Sequence, residues 1–202
     1  MLTEITNQLS QKDPVLAAII PQVTLPDIAP SLGIYHDLVS CIVDQQIPQR
    51  TRGTYMKKLI GLLSGELPND NNIYTIQEED WAIAKMANPK YHTLFRVTDA
   101  WHAQKMDTWN WQEMTDKDIR DRLQAIKGIG PQTVDMILLY TLTRPDVFPV
   151  GDYHLKQIME DMYEGEKGEK LPKMMTRVGA AWAPYRSFGT RYLLAWKEER
   201  KR

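Results

Sequence analysis

Leu123-Gln124-Ala125-Ile126-Lys127-Gly128-Ile129-Gly130-Pro131-Gln132-Thr133-Val134-Asp135-Met136-Ile137 is the stretch on which the reading of this chain turns. The charged run from Asp116 to Leu123 predicts a short helix, which Gly128 and Gly130 interrupt. Pro131 suits the first position of a second helix, where its missing N–H is not needed. Val134, Ile137 and Leu138 recur at helical spacing and give that helix an apolar face. The stretch therefore reads as helix, glycine hairpin, helix. Glycine lets the backbone turn at positive φ and approach another molecule closely. The first N–H groups of the second helix lack partners within it and lie at the positive end of its dipole, where an anion binds. A tight connection that merely uses two glycines is the plainer alternative. The apolar positions Leu123 and Ile126 before the turn and the Thr133-Val134 pair after it favour the binding reading.

Beyond the second helix come Arg144-Pro145-Asp146, a turn, and then Val147-Phe148-Pro149-Val150-Gly151-Asp152-Tyr153-His154-Leu155. Asp152 stands where a helix N-cap is expected. The hairpin phrase resembles the helix-hairpin-helix motif of DNA-binding proteins. With the Gly/Pro-rich loop and the Asp that follow, it resembles the HhH-GPD superfamily of DNA glycosylases. In that superfamily this Asp is essential, a role that a cap can hold at the same time.

The rest of the chain sets bounds. Its 202 residues are 43% hydrophobic, enough for a real core, and carry a net charge of −1. A nucleic-acid site must then be a local basic patch balanced by acids elsewhere. The single Cys41 excludes an internal disulfide and a four-cysteine iron–sulfur cluster. No signal peptide and no bilayer-length apolar run is evident, so a cytoplasmic protein without membrane association is expected, nucleoid-associated if bacterial. Helices are expected over 3–11, 13–20, 49–63 and 75–85, with Ser31 capping a helix that carries Leu32, Tyr35, Leu38, Val39, Ile42 and Val43. Asn88-Pro89 starts another, which runs through Trp101, and one more runs from Tyr153 to Met162. No segment alternates with period two, so the fold is read as all-α.

Two further phrases resemble the 3-methyladenine DNA glycosylase II branch. Gln45-Gln46-Ile47 resembles the corner between two helices at the DNA surface, where a side chain fills the gap left by a flipped nucleotide. The resemblance gives Gln46 that role and Gln45 a supporting one; Pro48 stands where the family usually has Ser. Trp182-Ala183-Pro184-Tyr185-Arg186-Ser187, with Trp196 later in the same helix, resembles the branch's C-terminal phrase, and most of it can also be read as packing.

The resemblance implies two helical lobes with a cleft between them, formed by one unit over residues 1–202. The helix-hairpin-helix would lie at about 116–142, and the second lobe would come from the N-terminal helices and the segment after 152. It implies that Gly128, Gly130, Gln132 and Thr133 bind the backbone of damaged double-stranded DNA, with the protein acting as a monomer. It also implies a Na⁺ or K⁺ ion on the main-chain carbonyls of Gln124, Ile126 and Ile129, with no other cofactor. Asp152 would stabilise positive charge on the sugar as the glycosidic bond breaks. Candidate residues for a pocket that stacks a cationic alkylated base are Tyr35, Trp101, Met136, Tyr153 and Trp196. Bifunctional relatives carry a Schiff-base lysine two residues after the second hairpin glycine. That position is Gln132, and an amide forms no imine, so a monofunctional hydrolase is expected. The alternatives are a glycosylase for mismatched or oxidised bases, a non-catalytic helix-hairpin-helix module, and an all-α interaction protein.

Overall fold

The computed structural model describes residues 2–45, 53–83 and 88–200. Among these residues the secondary structure is helical, with no strand. The chain divides into two compact units, Pro30–Ile137 and the pair of segments Met1–Ala29 and Leu138–Arg202.

The central unit holds α3 (Ile34–Val43), α4 (Thr54–Leu62), α5 (Glu78–Ile83), α6 (Asn88–Ala103), α7 (Asp116–Gln124) and α8 (Pro131–Met136). Leu38, Val39 and Ile42 of α3, Leu94 and Val97 of α6, Ile119 and Leu123 of α7, and Val134 of α8 are buried at helical spacing. Each such side chain contributes about 1.5–3 kcal/mol through loss of contact with water. Two expectations change here. Ser31 does not cap α3, whose N-cap is Gly33 at φ 117°. Ser31 Oγ instead accepts the Gly33 N–H at 3.0 Å and donates to Asp37 Oδ2 at 2.6 Å, which shapes the approach to the helix. Residues 75–85 do not begin as one helix. A 3-10 turn, Asn72–Thr75, precedes an extended Ile76, and α5 starts only at Glu78. The cause is local: Asn69 Oδ1 accepts the N–H groups of Asn71 and Asn72 at 2.9 Å each and fixes a turn before any α-helix can start.

The other unit holds α1 (Leu2–Lys12), α2 (Pro14–Ile19), α9 (Tyr153–Met162), α10 (Leu171–Ala180) and α11 (Arg186–Glu199). Its core joins Ile5, Leu9, Leu16 and Ile19 to Leu155, Ile158, Met159, Met174, Met175, Trp182 and Leu193. Asp13 is the polar centre of this core. Its Oδ1 caps α2 by accepting from Val15 N and Leu16 N, and its Oδ2 accepts from Trp182 Nε1 at 2.7 Å and Tyr163 Oη at 3.1 Å. Those bonds compensate the burial of a carboxylate. Burial, reinforced by the Asp13 charge, holds the Tyr163 phenol neutral by raising its pKa far above the usual value. Past α8 the helix widens into a π-helical run, Ile137–Thr141, a feature with no signature in the hydrophobic spacing.

Candidate active site

The hairpin is built from both sides. Thr115 caps α7 by accepting the Asp118 N–H at 3.1 Å. The chain turns at Gly128, whose φ of 106° only glycine adopts readily. A Cβ at this position would fall 2.2 Å from Thr93 Oγ1, so α6 packs directly on the turn. Arg96, one turn further along α6, donates from Nη1 to the Lys127 carbonyl at 3.4 Å. Gly130 is different. Its φ of −96° suits any residue, and a Cβ there would meet nothing within 4 Å. The fold therefore requires glycine at 128 and leaves open space at 130.

Gly130 is the N-cap of α8, and no side chain caps that helix, in contrast to α2, α7 and α9. An uncapped start is the kind that accepts an anion. Gln132 is half-buried in the first turn of α8. The Thr133 side chain is buried, and its Oγ1 accepts from Gln45 Nε2 at 3.0 Å. Gln45 thereby ties the end of α3 to the start of α8, a supporting role. Gln46 lies outside the described residues. At the other end of the turn, Gln124 closes α7, and the Ile126 carbonyl accepts the Ile129 N–H at 3.0 Å.

Asp152 ends the loop that follows. It is the N-cap of α9, and its Oδ1 accepts the Leu155 N–H at 2.7 Å. The loop itself is fastened by the C-terminal phrase. Arg186 donates from Nε and Nη2 to the two oxygens of Asp146 at 2.7 and 2.8 Å. Those bonds hold the Asp146 carboxyl below its ordinary pKa. Ser187 accepts from Val147 N at 2.9 Å and donates to the Arg144 carbonyl at 2.5 Å. Phe148 meets Trp182 edge-on at 5.3 Å, and it can do so because Gly179 has no Cβ, which would lie 2.7 Å from the Phe148 ring. Trp182, Arg186 and Ser187 thus act as packing and as the frame of the Asp152 loop.

Within each unit the pocket candidates have identifiable surroundings. Tyr35 and Trp101 do meet, with ring centroids 5.2 Å apart, and line a cavity of about 370 Å³ with His36, Asp70 and Asp107. The Tyr35 hydroxyl is paired with Thr98 Oγ1 at 2.7 Å, and burial raises its pKa strongly. Trp196 lines a second cavity with Ile19, Gln22 and Met162, under the Arg200 guanidinium at 4.6 Å. Met162 is the last residue of α9 and Tyr153 the first, so they stand about 14 Å apart along the helix. Tyr153 is 66% exposed. Met136 is half-buried at the end of α8. The spacing of aromatics in sequence carries no signal for these groupings, which arise from tertiary packing.

No family model matches the chain. Relatives are nonetheless found along most of it. YfjP of Bacillus subtilis, provisionally named a DNA-3-methyladenine glycosylase, is 23% identical over 80% of this chain. The chain spans 58% of that relative's length. DNA-3-methyladenine glycosylase 1 of Schizosaccharomyces pombe is 24% identical over 81% of this chain and 71% of its own. Among solved structures, a DNA-3-methyladenine glycosidase from Bacillus halodurans matches with a TM-score of 0.77 at 27% identity, covering 96% of this chain and 88% of that one. The Schizosaccharomyces pombe 3-methyladenine DNA glycosylase in complex with abasic DNA matches with a TM-score of 0.82 at 21% identity, covering 98% and 97%. An 8-oxoguanine glycosylase/lyase of Clostridium acetobutylicum bound to DNA also reaches 0.82, at 18% identity over 100% of this chain and 71% of that one. The shared fold is therefore that of the helix-hairpin-helix DNA glycosylases.

Proposed function

We propose that this DNA-3-methyladenine glycosylase-like chain excises alkylated purines from double-stranded DNA by hydrolysis. The observation that carries the reading is Asp152: a half-buried carboxylate, fixed through Oδ1 to the start of α9, on a fold shared with DNA glycosylases. A base in a duplex must leave the stack to be reached. The amides at the start of α8, with bare Gly130 beside them, hold a phosphate of the damaged strand. The bond between C1′ and the base nitrogen then breaks, and its electron pair leaves with the base and cancels the charge of the alkylated ring. Asp152 stabilises the positive sugar that remains. Water adds to C1′ and gives up a proton, for which Asp152 is the acceptor.

A purine alkylated at a ring nitrogen is already a good leaving group, which suits a site with one carboxylate. With Gln132 in the Schiff-base position, the reaction stops at the abasic site and the strand stays whole. The hairpin carbonyls fit a monovalent cation in kind: all are hard oxygen donors, and the Ile126 oxygen retains a second lone pair beside its bond to Ile129. Gln124, Ile126 and Ile129 would hold it, and its charge would draw the phosphate to the hairpin.

The test is a duplex with a single methylated purine, incubated with the protein and divided, one half then heated in alkali. Release of the methylated base, with strand breaks in the alkali half alone, is expected. Breaks before alkali would overturn the monofunctional assignment, and release of only a neutral base such as 8-oxoguanine would overturn the substrate.

A further inference from the structure

The C-terminal helix reaches the residue next to Asp152 through two hydrogen bonds. Lys197 Nζ donates to Gln157 Oε1 at 2.6 Å, and Gln157 Nε2 donates to the Tyr153 hydroxyl oxygen at 2.8 Å. The order of donors is forced. An ammonium has no lone pair to offer, so the amide must turn its oxygen to Lys197 and its NH₂ to Tyr153. The phenol oxygen therefore accepts, and its own proton is left to be donated elsewhere. Among the described residues, Gln157 is the hydrogen-bond partner the structure gives Tyr153. The ring is 66% exposed, on the first residue of α9 and directly after Asp152.

We propose that Tyr153 donates its hydroxyl proton to a phosphate oxygen of the damaged strand, with Gln157 and Lys197 as positioning residues that hold the phenol as a donor. The proposal rests on the glycosylase reading and adds to it a strand contact beside the carboxylate. An anionic acceptor is favoured for two reasons. The hydroxyl is exposed, as tyrosines that contact phosphate are, and is not enclosed like a group that reads a base edge. The chain of bonds also begins at a cation, which polarises each donor after it in the direction an anion strengthens.

The experiment measures kcat and KM for methylated-purine release by the full chain and its variants Tyr153→Phe, Gln157→Leu and Lys197→Met. A phosphate contact made equally before and during reaction predicts KM raised about fivefold to tenfold with kcat unchanged. Tyr153→Phe with Gln157→Leu should be no worse than Tyr153→Phe alone. Substrates in which one phosphate near the lesion is made a neutral methylphosphonate should show one position that costs the wild type the same factor and costs Tyr153→Phe nothing. A fall in kcat with KM intact, additive losses, or no such position would overturn the proposal. The side-chain amide NMR signal of Gln157 reads the bonds in the free protein. It should move in Tyr153→Phe and in Lys197→Met, and a signal unmoved in both would also overturn it. If the wild type releases no methylated purine, the glycosylase reading fails by itself. Affinity for an undamaged duplex, lowered by Tyr153→Phe or not, then decides whether the phosphate contact stands.

Discussion

Arg120 Nη2 stands 2.6 Å from Asp135 Oδ1, an ion pair that ties α7 to α8 across the hairpin. The Asp135 side chain is 8% exposed and that of Arg120 32%. Burial raises the Asp135 pKa, and the Arg120 charge and hydrogen bond oppose the rise without cancelling it. The pair thus holds a costly buried carboxylate in place and sets the spacing of the helices that present the turn.

Arg120→Met should cost about 2–3 kcal/mol at neutral pH. That is below the loss for a fully buried pair, because Arg120 keeps part of its side chain in water. The sign of the pH dependence follows from the raised pKa. Asp135 favours the folded state most when protonated, and that contribution is lost as pH rises through its folded pKa. Without Arg120 that pKa climbs further, so the penalty should shrink as the medium is acidified from pH 7 toward the ordinary value of 3.8. Urea unfolding at several pH values reads this directly. A penalty that does not depend on pH would mean that Arg120 acts by packing.

The hairpin glycines should separate. Gly128→Ala strains a φ of 106° and drives a Cβ into Thr93, so thermal unfolding should show a loss of about 1–3 kcal/mol. A Cβ at 130 meets nothing within 4 Å, so Gly130→Val should leave the melting temperature unchanged. It should weaken binding to all duplexes by a similar factor, because phosphate contacts carry no sequence. Gly130→Val binding DNA as the wild type does would remove the hairpin from the interface.

The contrast between these glycines marks what the sequence could reveal. Gly128, the Pro131 helix start and the Asp152 cap were legible because each is decided within a few residues. The inward turn of Thr133 was not, since its partner Gln45 lies 88 residues away. Nor was the separation of Trp196 from Tyr153, which follows from the way α11 packs on α9 and α2. The Arg120–Asp135 pair could have been found: the two residues have opposite charge and lie one on each helix that flanks the turn. The Gln45-Gln46 phrase falls partly outside the described residues, so Gln46 keeps only the role its resemblance implies.

The observed cap and the proposed catalytic role of Asp152 can be parted by substitution. Asn retains an oxygen to accept the Leu155 N–H, so Asp152→Asn should keep the melting temperature and lose most base release. Asp152→Ala should lose release and also about 1 kcal/mol of stability with the cap. Circular-dichroism melting beside the release assay distinguishes them. Near-normal release by a folded Asp152→Asn would reduce Asp152 to a cap.

The Arg186–Asp146 pair should act on the same loop with the opposite pH sign. The Asp146 carboxyl is held low, so the pair's contribution is present above the ordinary value of 3.8 and is lost as pH falls through the lowered pKa. Both side chains are about a third exposed, which limits the contribution to roughly 1 kcal/mol. Arg186→Met should be less stable than the wild type at neutral pH and should converge with it in acid. Its release rate should fall more than its stability, since the loop that carries Asp152 loses a tie. Unchanged kcat with lowered stability would make the pair purely structural.

The final prediction concerns Gln132, on which the proposed monofunctional reaction rests. Gln132 lies half-buried in the first turn of α8, at the position to which the resemblance assigns the Schiff-base lysine of bifunctional members. An amine there can attack C1′ of an abasic sugar in its open aldehyde form. Water leaves and an imine forms, which borohydride reduces to a stable adduct. The variant Gln132→Lys supplies that amine on a backbone already shaped for it, and desolvation by its half-buried site lowers its pKa toward the neutral, nucleophilic form. Incubated with abasic duplex and borohydride, Gln132→Lys should yield a DNA–protein adduct on a denaturing gel, and the wild type should yield none. The adduct should weaken with Gly130→Val in the same chain, because the hairpin must first hold the strand. An adduct with the wild type itself would reveal a different lysine as nucleophile. The absence of one with a folded Gln132→Lys that still binds abasic DNA would place residue 132 out of reach of the sugar.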